Sequence, residues 1–342
     1  MTRGQGHPDI QPILSNSHSF SMLLTAMHKR RFFFRIFIAV VCMVMRLPAS
    51  AQVRDTVDAG GAMVTLSEVV VRSGMDVNGF IERVRRDTTF YKAFRNLRVL
   101  SYSSLNDIRM AGRRGRQGAG YRSRTRQTAW SGCRVTRVIE SSQTGDFFEG
   151  DGSHRYYTAR LYDALFHSFD TICGQHNLVR DHAPRTRGTS GMDRHKEQLK
   201  TLFFNPGADI PGIPLMGDKT RIFDADHRPL YDFDIDIQDR KGVRCYVFRI
   251  SARKDLGMLD RDRIVIDEME TWFDYRSFEV MERTYAMRYD AGVYRFDVRM
   301  HVELGHAGRY LVPTLVRYDG SWKVALKSPE QGVFTATLFD FE

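Results

Sequence analysis

The chain of 342 residues has little cysteine and little proline. Its four cysteines are too few to build a small scaffold that depends on disulfides. Ten prolines, beside 42% hydrophobic and 12% aromatic residues, exclude a collagen-like or disordered chain. Nucleophile motifs are missing too, since the sequence holds neither a GxSxG elbow nor a CxxC pair. The length suits one large domain or two small ones with a sizeable core.

The longest apolar run near the start is too short to span a membrane. Residues 27–51 combine a charged opening around Lys29–Arg31, the apolar run Ile36–Met45 and small residues up to Ala51. This order predicts that residues 1–51 are a signal peptide with its core at 27–51, cleaved after Ala51. We therefore expect no transmembrane helix after cleavage. The expected location is the periplasm or the periplasmic face of the outer membrane.

Removal of the leader halves the apparent basicity of the chain. The formal net charge is +10, and the leader holds six basic residues and one acid, so the mature chain carries +5. Twelve basic residues and one acid fall between Lys92 and Arg137. An exported protein whose basic segment lacks interleaved aromatics is not expected to bind nucleic acid. The glycines of this segment do not open a helix after a strand, so we expect no cofactor loop.

A basic hairpin is predicted at 109–126, inside this segment. Its six arginines form the predicted partner-binding surface: Arg113, Arg114, Arg116, Arg122, Arg124 and Arg126. In one interpretation the hairpin makes the protein an envelope adaptor that docks an acidic partner. In the other, it is a solvated stripe that is balanced by carboxylates such as Asp232, Asp234 and Asp236.

Strict alternation dominates the C-terminal third. Tyr231–Ile237 places apolar residues on one face and three aspartates on the other, and Tyr294–Leu304 alternates in the same way. Turn-forming residues, among them Asp319-Gly320, separate the segments, and tight turns predict an antiparallel meander. The further strands are predicted at 243–253, 262–274, 277–289, 309–318, 321–327 and 332–341.

The N-terminal part of the mature chain reads differently. A polar, glycine-ended stretch predicts a flexible tail at 52–62, and the β-branched run Val64–Val71 predicts a strand. Apolar spacing predicts two short helices around 76–96, one at 156–168 with Tyr157, Leu161 and Leu165 on its apolar face, and one from Ser190 to Leu202.

The predicted fold class is α+β and β-rich, as a single domain over 63–342. We expect a large curved antiparallel meander sheet, half-barrel-like, with several short helices packed on or in its concave face. Several strands carry large apolar residues on both faces, which favours curvature. A flat sheet with helices on one side and partner contacts on the other is the alternative.

Three cysteines remain after cleavage, so at most one intrachain bridge forms. Cys245 alternates with Val243 and Val247, which is typical of a small buried core residue. We therefore predict a disulfide between Cys133 and Cys173.

No catalytic or metal site is expected. The run Gly145–His154 gathers three carboxylates and a histidine, but its spacing matches a polar turn better than a calcium loop. His176, Asp181, His182 and His195 lack the spacing that places two metal ligands on one helical face.

Two segments resemble known families. Leu66–Val71 resembles the strand that follows carboxypeptidase-regulatory-like modules in exported proteins of Gram-negative bacteria. Residues 231–341, with Val293–Leu304 and Tyr318–Val324, are similar in sequence pattern to the periplasmic lipoprotein-carrier (localisation factor) superfamily. The resemblance implies a curved sheet that cups a lipid or acyl chain, in an uncharacterised exported envelope family. The basic hairpin and the helices at 156–168 and 191–204 have no counterpart in that family.

These observations predict an exported, non-enzymatic binding protein with an apolar concavity for a lipid-like or acyl ligand. An alternative is that the wall residues simply fill the core, and a hydrolase of unknown substrate is the third possibility. The predicted ligand-binding wall consists of Tyr246, Phe248, Trp272, Met287, Tyr294, Phe296, Val298 and Met300, with Val302 beside them.

Overall fold

The computed structural model describes residues 54–112, 118–179, 203–207, 219–290, 292, 294–324 and 328–342. All of them belong to one unit, Val53–Glu342. The predicted signal peptide, the predicted helix from Ser190 to Leu202, and Arg113, Arg114 and Arg116 of the hairpin lie outside the described residues. In the part that is described, no helix has the length and apolar character needed to cross a bilayer.

Twelve strands form one open, curved sheet. They are β1 (Arg54–Asp58), β2 (Met63–Ser67), β3 (Tyr102–Met110), β4 (Ala119–Trp130), β5 (Cys133–Thr144), β6 (Tyr231–Arg240), β7 (Val243–Ala252), β8 (Ile266–Asp274), β9 (Val280–Asp290), β10 (Tyr294–Ala307), β11 (Tyr310–Val324) and β12 (Glu330–Phe339).

The strand order is β1-β2-β6-β7-β8-β9-β10-β11-β12-β3-β4-β5. Strands β6 to β12 form the antiparallel meander that the sequence predicts, because each pairs antiparallel with the next. Five of the six connections have at most five residues, and the one between β7 and β8 contains the short helix Met258–Arg261. The sheet is not wholly antiparallel, since β2 runs parallel to β6 and pairs Val64 with Phe233. Strand β12 then pairs with β3 and so joins the hairpins β3–β5 to the meander.

The described helices are short: α1 (Glu68–Ser73), α2 (Val77–Arg86), α3 (Thr89–Asn96), α4 (Tyr157–Phe166) and α5 (Met258–Arg261). A 3-10 turn at Arg228–Leu230 precedes β6. Asp76 caps α2, because its side chain accepts a hydrogen bond from the backbone N–H of Gly79 at 3.0 Å. Phe80 then points into the core and contacts the rings of Phe248 and Phe273 edge-on. One face of the sheet, the inner face, is therefore covered by helices.

Two predictions for residues 52–71 are wrong. In the predicted flexible tail at 52–62, Arg54–Asp58 is a strand that pairs with β2, although all five of its residues are exposed. The predicted strand Val64–Val71 ends at Ser67, and α1 replaces its second half. The helix buries Val70, and its end is set by Gly74 with φ of 65°, the left-handed conformation that favours glycine.

The predicted turn at Asp319-Gly320 is also wrong, since β11 runs without a break from Tyr310 to Val324. The glycine serves close packing instead of chain reversal. A Cβ atom at Gly320 would lie 2.4 Å from the hydroxyl oxygen of Tyr318, whose side chain lies over this position. The Tyr318 hydroxyl also contacts the indole Nε1 of Trp322. A strand glycine here marks a close side-chain approach.

Helix α4 lies where the sequence predicts it but presents a different face. Thr158, Ala159 and Tyr162 are buried, whereas Leu161 and Leu165 are only half-buried. Tyr162 is buried because its ring packs on Phe334 and its hydroxyl donates a hydrogen bond to Asn106 inside the sheet.

Candidate functional site: the interior between α4 and the sheet

The inner face of the sheet collects most of the predicted ligand-binding wall. Five of those residues are at most 1% exposed and belong to the main core cluster: Phe248, Met287, Phe296, Val298 and Met300. Val302 is buried beside them. Tyr246 is half-buried, with its ring 5.3 Å from that of Phe80. In the structure these side chains pack as core residues beneath the helices.

Trp272 does not belong to this wall. The neighbouring Phe273 faces the inner core, so strand alternation turns Trp272 to the opposite face, where it packs with Cys245 and Val247. Its indole Nε1 donates a hydrogen bond to Glu270 at 2.8 Å. Tyr294 begins β10, and its side chain lies outside the described part of the chain.

Described residues line two small voids in the interior. The first has a volume of about 10 Å³, and the second has a volume of about 40 Å³. Both are far below the ~300 Å³ typical of a small-molecule pocket, so the described helices leave little free volume at these two places. Leu165 and Phe166, in the last turn of α4, line both voids. Met300 and Trp322 also line the first void.

The first turn and the middle of α4 are held by polar contacts. Backbone N–H groups of Tyr157 and Thr158 donate to the carboxylate of Glu330 at 3.0 and 2.9 Å. A carboxylate at this end complements the helix dipole. The hydroxyl of Tyr162 donates to Oδ1 of Asn106 at 2.5 Å. The last turn also carries the half-buried apolar side chains of Leu165 and Phe166.

Asp163 joins α4 to the segments on either side of it. Its carboxylate contacts Nε2 of His154 and lies 2.9 Å from Nδ1 of His167. Burial opposes ionisation of this carboxyl, but the hydrogen bonds with the two histidines outweigh burial and hold the pKa of Asp163 below its usual value.

A row of buried polar side chains lies beneath Tyr162. Ser104, Asn106, Ser123 and Thr125 project from β3 and β4, and all are at most 6% exposed. The amide Nδ2 of Asn106 lies 3.3 Å from both the Ser123 and Thr125 hydroxyls, and the Ser104 hydroxyl donates to its Oδ1 at 2.8 Å. The sequence alone does not reveal this row, because small polar residues in a strand carry no sign of burial.

Three arginines line the larger void. Arg95 and Arg98 come from α3 and the residues after it, and Arg134 comes from β5. Gln127 and Gln175 accept hydrogen bonds from the Arg134 guanidinium at 2.9 and 3.1 Å. These arginines belong to the basic segment between Lys92 and Arg137, but the predicted partner-binding surface includes only the arginines of the hairpin.

The described arginines of the predicted hairpin face the other side of β4. Arg122 Nε lies 3.2 Å from Asp107, Arg126 Nη2 lies 2.6 Å from Glu342, and the Arg124 guanidinium lies 5.9 Å from the centre of the Phe339 ring. Two of the three are thus paired within the chain, which favours the solvated stripe.

The carboxylates that we expected to balance this stripe are elsewhere. Asp234 pairs with Arg54 and with Arg249, at 3.1 and 2.8 Å. Strand β6, which carries Asp232, Asp234 and Asp236, is separated from β4 by seven other strands in the sheet order. Balance by Asp232, Asp234 and Asp236 was therefore a wrong prediction, because strand order and not sequence composition selects the partners.

A buried arginine, Arg283, and a half-buried aspartate, Asp87, lie where α3 begins. Nε of Arg283 donates to the Thr271 hydroxyl at 2.9 Å, and its guanidinium lies 4.4 Å from the centre of the Phe90 ring. Burial lowers the pKa of Arg283, against the charge of Asp87. Burial likewise raises the pKa of Asp87, although the charge of Arg283 opposes it. These groups fix the start of α3 on the sheet.

Among the described residues, one cluster with metal-ligand chemistry forms on β9 and β10. The ligand atoms of Glu282, His301 and Glu303 lie within 4.8 Å of one another. Arg240 contacts Glu282, and Nζ of Lys241 lies 2.6 Å from Glu303, so both carboxylates are ion-paired within the chain. The sequence alone does not reveal this cluster, because its three residues lie on two different strands.

The structure joins Cys133 and Cys173 in a disulfide and leaves Cys245 buried and free. The residues after α4, His167–Asn177, form what we call the edge segment. It runs along the outer edge of β5, where Arg134 and Ile172 exchange backbone hydrogen bonds of 2.9 and 3.0 Å. The edge segment also contacts α3, since Nδ2 of Asn177 donates to Asn96 at 2.9 Å.

Neither a family model nor a curated protein matches this sequence. Among solved structures, the chain is similar to a LolA superfamily protein from Nitrosomonas europaea, with 12% identity, 75% of this chain and 91% of that chain covered, and a TM-score of 0.24. It is also similar to a putative outer membrane lipoprotein-sorting protein domain from Vibrio parahaemolyticus, with 9% identity, coverage of 77% and 89%, and a TM-score of 0.26. Lipovitellin matches with 8% identity, coverage of 71% and 25%, and a TM-score of 0.28. A function for this chain therefore has to be argued from its own residues and contacts.

Proposed function

We propose that the mature chain is an exported, non-enzymatic protein that binds the apolar chain of a lipid-like ligand between α4 and the inner face of the sheet. One observation carries the proposal: Leu165 and Phe166 line both interior voids. The side chains of Leu165 and Phe166 therefore form a partition, and their displacement joins the two voids into one chamber. Met300 of the predicted ligand-binding wall also lines the smaller void.

Polar contacts of Thr158, Tyr162 and Asp163 hold the helix α4 in place. Leu165 and Phe166 are half-buried and apolar, so their side chains can move without breaking a hydrogen bond. A ligand with an acyl chain replaces the contacts of these side chains with its own. Each buried methylene contributes about 0.8 kcal/mol, so ~10 methylenes offset the exposure of two side chains at about 1.5–3 kcal/mol each.

The leader and the disulfide support an envelope location. The leader lies outside the described residues and remains a prediction. The bond between Cys133 and Cys173 is of the kind that forms in oxidising compartments such as the periplasm.

The test is direct binding of an uncharged acyl probe. A dodecanoyl glycerol labelled with the fluorophore NBD should show increased fluorescence when it binds the purified mature protein. Leu165→Trp fills the voids and should weaken binding about tenfold or more, equivalent to about 1.4 kcal/mol. The matched control is Leu105→Trp, because Leu105 is half exposed and does not line either void.

Two results would count against the proposal. One is wild-type protein that binds no probe and carries no lipid in an organic extract analysed by mass spectrometry. The other is equal weakening by Leu165→Trp and Leu105→Trp, which would place the probe on the surface.

A further inference from the structure

The larger void has two chemically different ends. Among the described residues that line it, three are arginines and none is Asp or Glu. The apolar end is formed by Leu97, Phe204, and Leu165 and Phe166 of α4, which is the partition shared with the smaller void. A single void thus places positive charge at the start of an apolar path.

Hydrogen bonds to neighbouring side chains hold the Arg134 guanidinium at the basic end in one orientation. Neutral amide oxygens of Gln127 and Gln175 orient the Arg134 guanidinium, and Gln127 is itself fixed because its Nε2 donates to backbone carbonyls of Leu97 and Leu100 at 2.6 and 2.8 Å. Gln127 is 1% exposed. A guanidinium held in this way loses little conformational freedom when it binds an oxyanion.

A further positive charge, that of Lys92, lies near the arginines at this end. Arg95 donates to the backbone carbonyl of His176 in the edge segment at 3.1 Å, and Lys92 donates to that of Asn177. Burial, followed by the positive charge of Arg95, lowers the pKa of Lys92. Four basic side chains therefore gather where the edge segment, α3 and β5 meet.

We propose that the ligand is a single-chain amphiphile with an oxyanion headgroup, a carboxylate or a phosphate monoester, that binds Arg95, Arg98 and Arg134. Its chain passes Leu165 and Phe166 into the smaller void. This inference rests on the function proposed above and adds the class of headgroup. Guanidinium groups recognise both oxyanions through charge-assisted hydrogen bonds.

The experiment compares three probes with the same NBD-labelled twelve-carbon chain: the free acid, its uncharged glycerol ester and the corresponding phosphate monoester. Wild-type protein should bind an anionic probe at least about tenfold more tightly than the ester, the change expected for one charge-assisted hydrogen bond. The stronger of the two anionic probes identifies the headgroup.

Arg98→Gln should lower the affinity for the preferred anionic probe about tenfold and so remove most of this preference. Arg122→Gln is the matched control, because Arg122 is an exposed arginine of β4 that lines neither void. Arg134→Gln is a second test, and its folding is checked by circular dichroism. If it fails to fold, Arg98→Gln alone decides.

The outcomes separate the two proposals. Equal affinity for acid, phosphate and ester, or a preference that survives Arg98→Gln, overturns the inference about the headgroup and leaves the proposed function standing. Failure of the wild-type protein to bind any of the three probes overturns the proposed function itself.

Discussion

Replacement of both Cys133 and Cys173 by serine should destabilise the protein by an amount that follows from the loop between them. The bridge spans a sequence separation of 40. For a loop of this length the chain-entropy relation gives about 4 kcal/mol at 25 °C. The edge segment keeps its backbone hydrogen bonds to β5, among them that from Thr136 to Ser168 at 2.7 Å. We therefore expect the folded state to keep its geometry and the free energy of unfolding to fall by about 3–4 kcal/mol.

Urea denaturation followed by tryptophan fluorescence measures this loss, with an unchanged m-value as the sign that the folded state stays compact. Hydrogen exchange should show faster exchange at the amides of Ile172 and Gln175, whose hydrogen bonds lie beside the bridge. Dithiothreitol should destabilise the wild-type protein to the level of the double variant and leave that variant unchanged. A loss below about 1 kcal/mol with unchanged exchange in the edge segment would refute the reasoning.

Three further predictions concern packing and pH. Phe80→Ala removes a ring that contacts four aromatic neighbours and should cost about 3–5 kcal/mol in urea denaturation. The exposed control Val71→Ala should stay within about 0.5 kcal/mol, and equal losses would contradict the assignment of Phe80 to the core. Gly320→Ala forces the Tyr318 side chain to move and should lower the free energy of unfolding by about 1–3 kcal/mol, whereas an unchanged Tm would argue against close packing there. The lowered pKa of Asp163 means that its stabilisation is present above the unfolded value of about 4 and is lost as pH falls through the folded value. Asp163→Asn should therefore destabilise the protein at neutral pH and flatten the acid limb of its stability curve, and an unaltered acid limb would exclude this carboxyl as a cause.

Local patterns in the sequence predict much of the fold. Tyr231–Ile237 and Tyr294–Leu304 alternate as the sheet requires, and α2 and α3 follow their apolar spacing. In each case the side chains that decide the structure are close in sequence, so periodicity alone identifies the buried face.

The sequence fails to predict features that depend on contacts between residues far apart in the chain. Nothing near Gly320 in the sequence shows that Tyr318 covers it within a continuous strand. Burial of Asn106 depends on Tyr162, which belongs to another element. The three arginines of the larger void meet only because β5 and α3 are brought together by long-range packing. Composition detected the excess of positive charge, but only the topology shows which arginines share a void.

The place of β12 in the sheet has a consequence for how the chain acquires its structure. This strand is synthesised after the other eleven, yet it lies between β11 and β3 and pairs Leu105 with Thr337 across most of the sequence. The β3–β5 hairpins cannot dock on the meander until β12 has emerged, so the contact order is high and folding is expected to be slow. During that interval the partnerless edges of β3 and β11 are exposed to aggregation, and chaperone binding would be of most use to the chain at this stage.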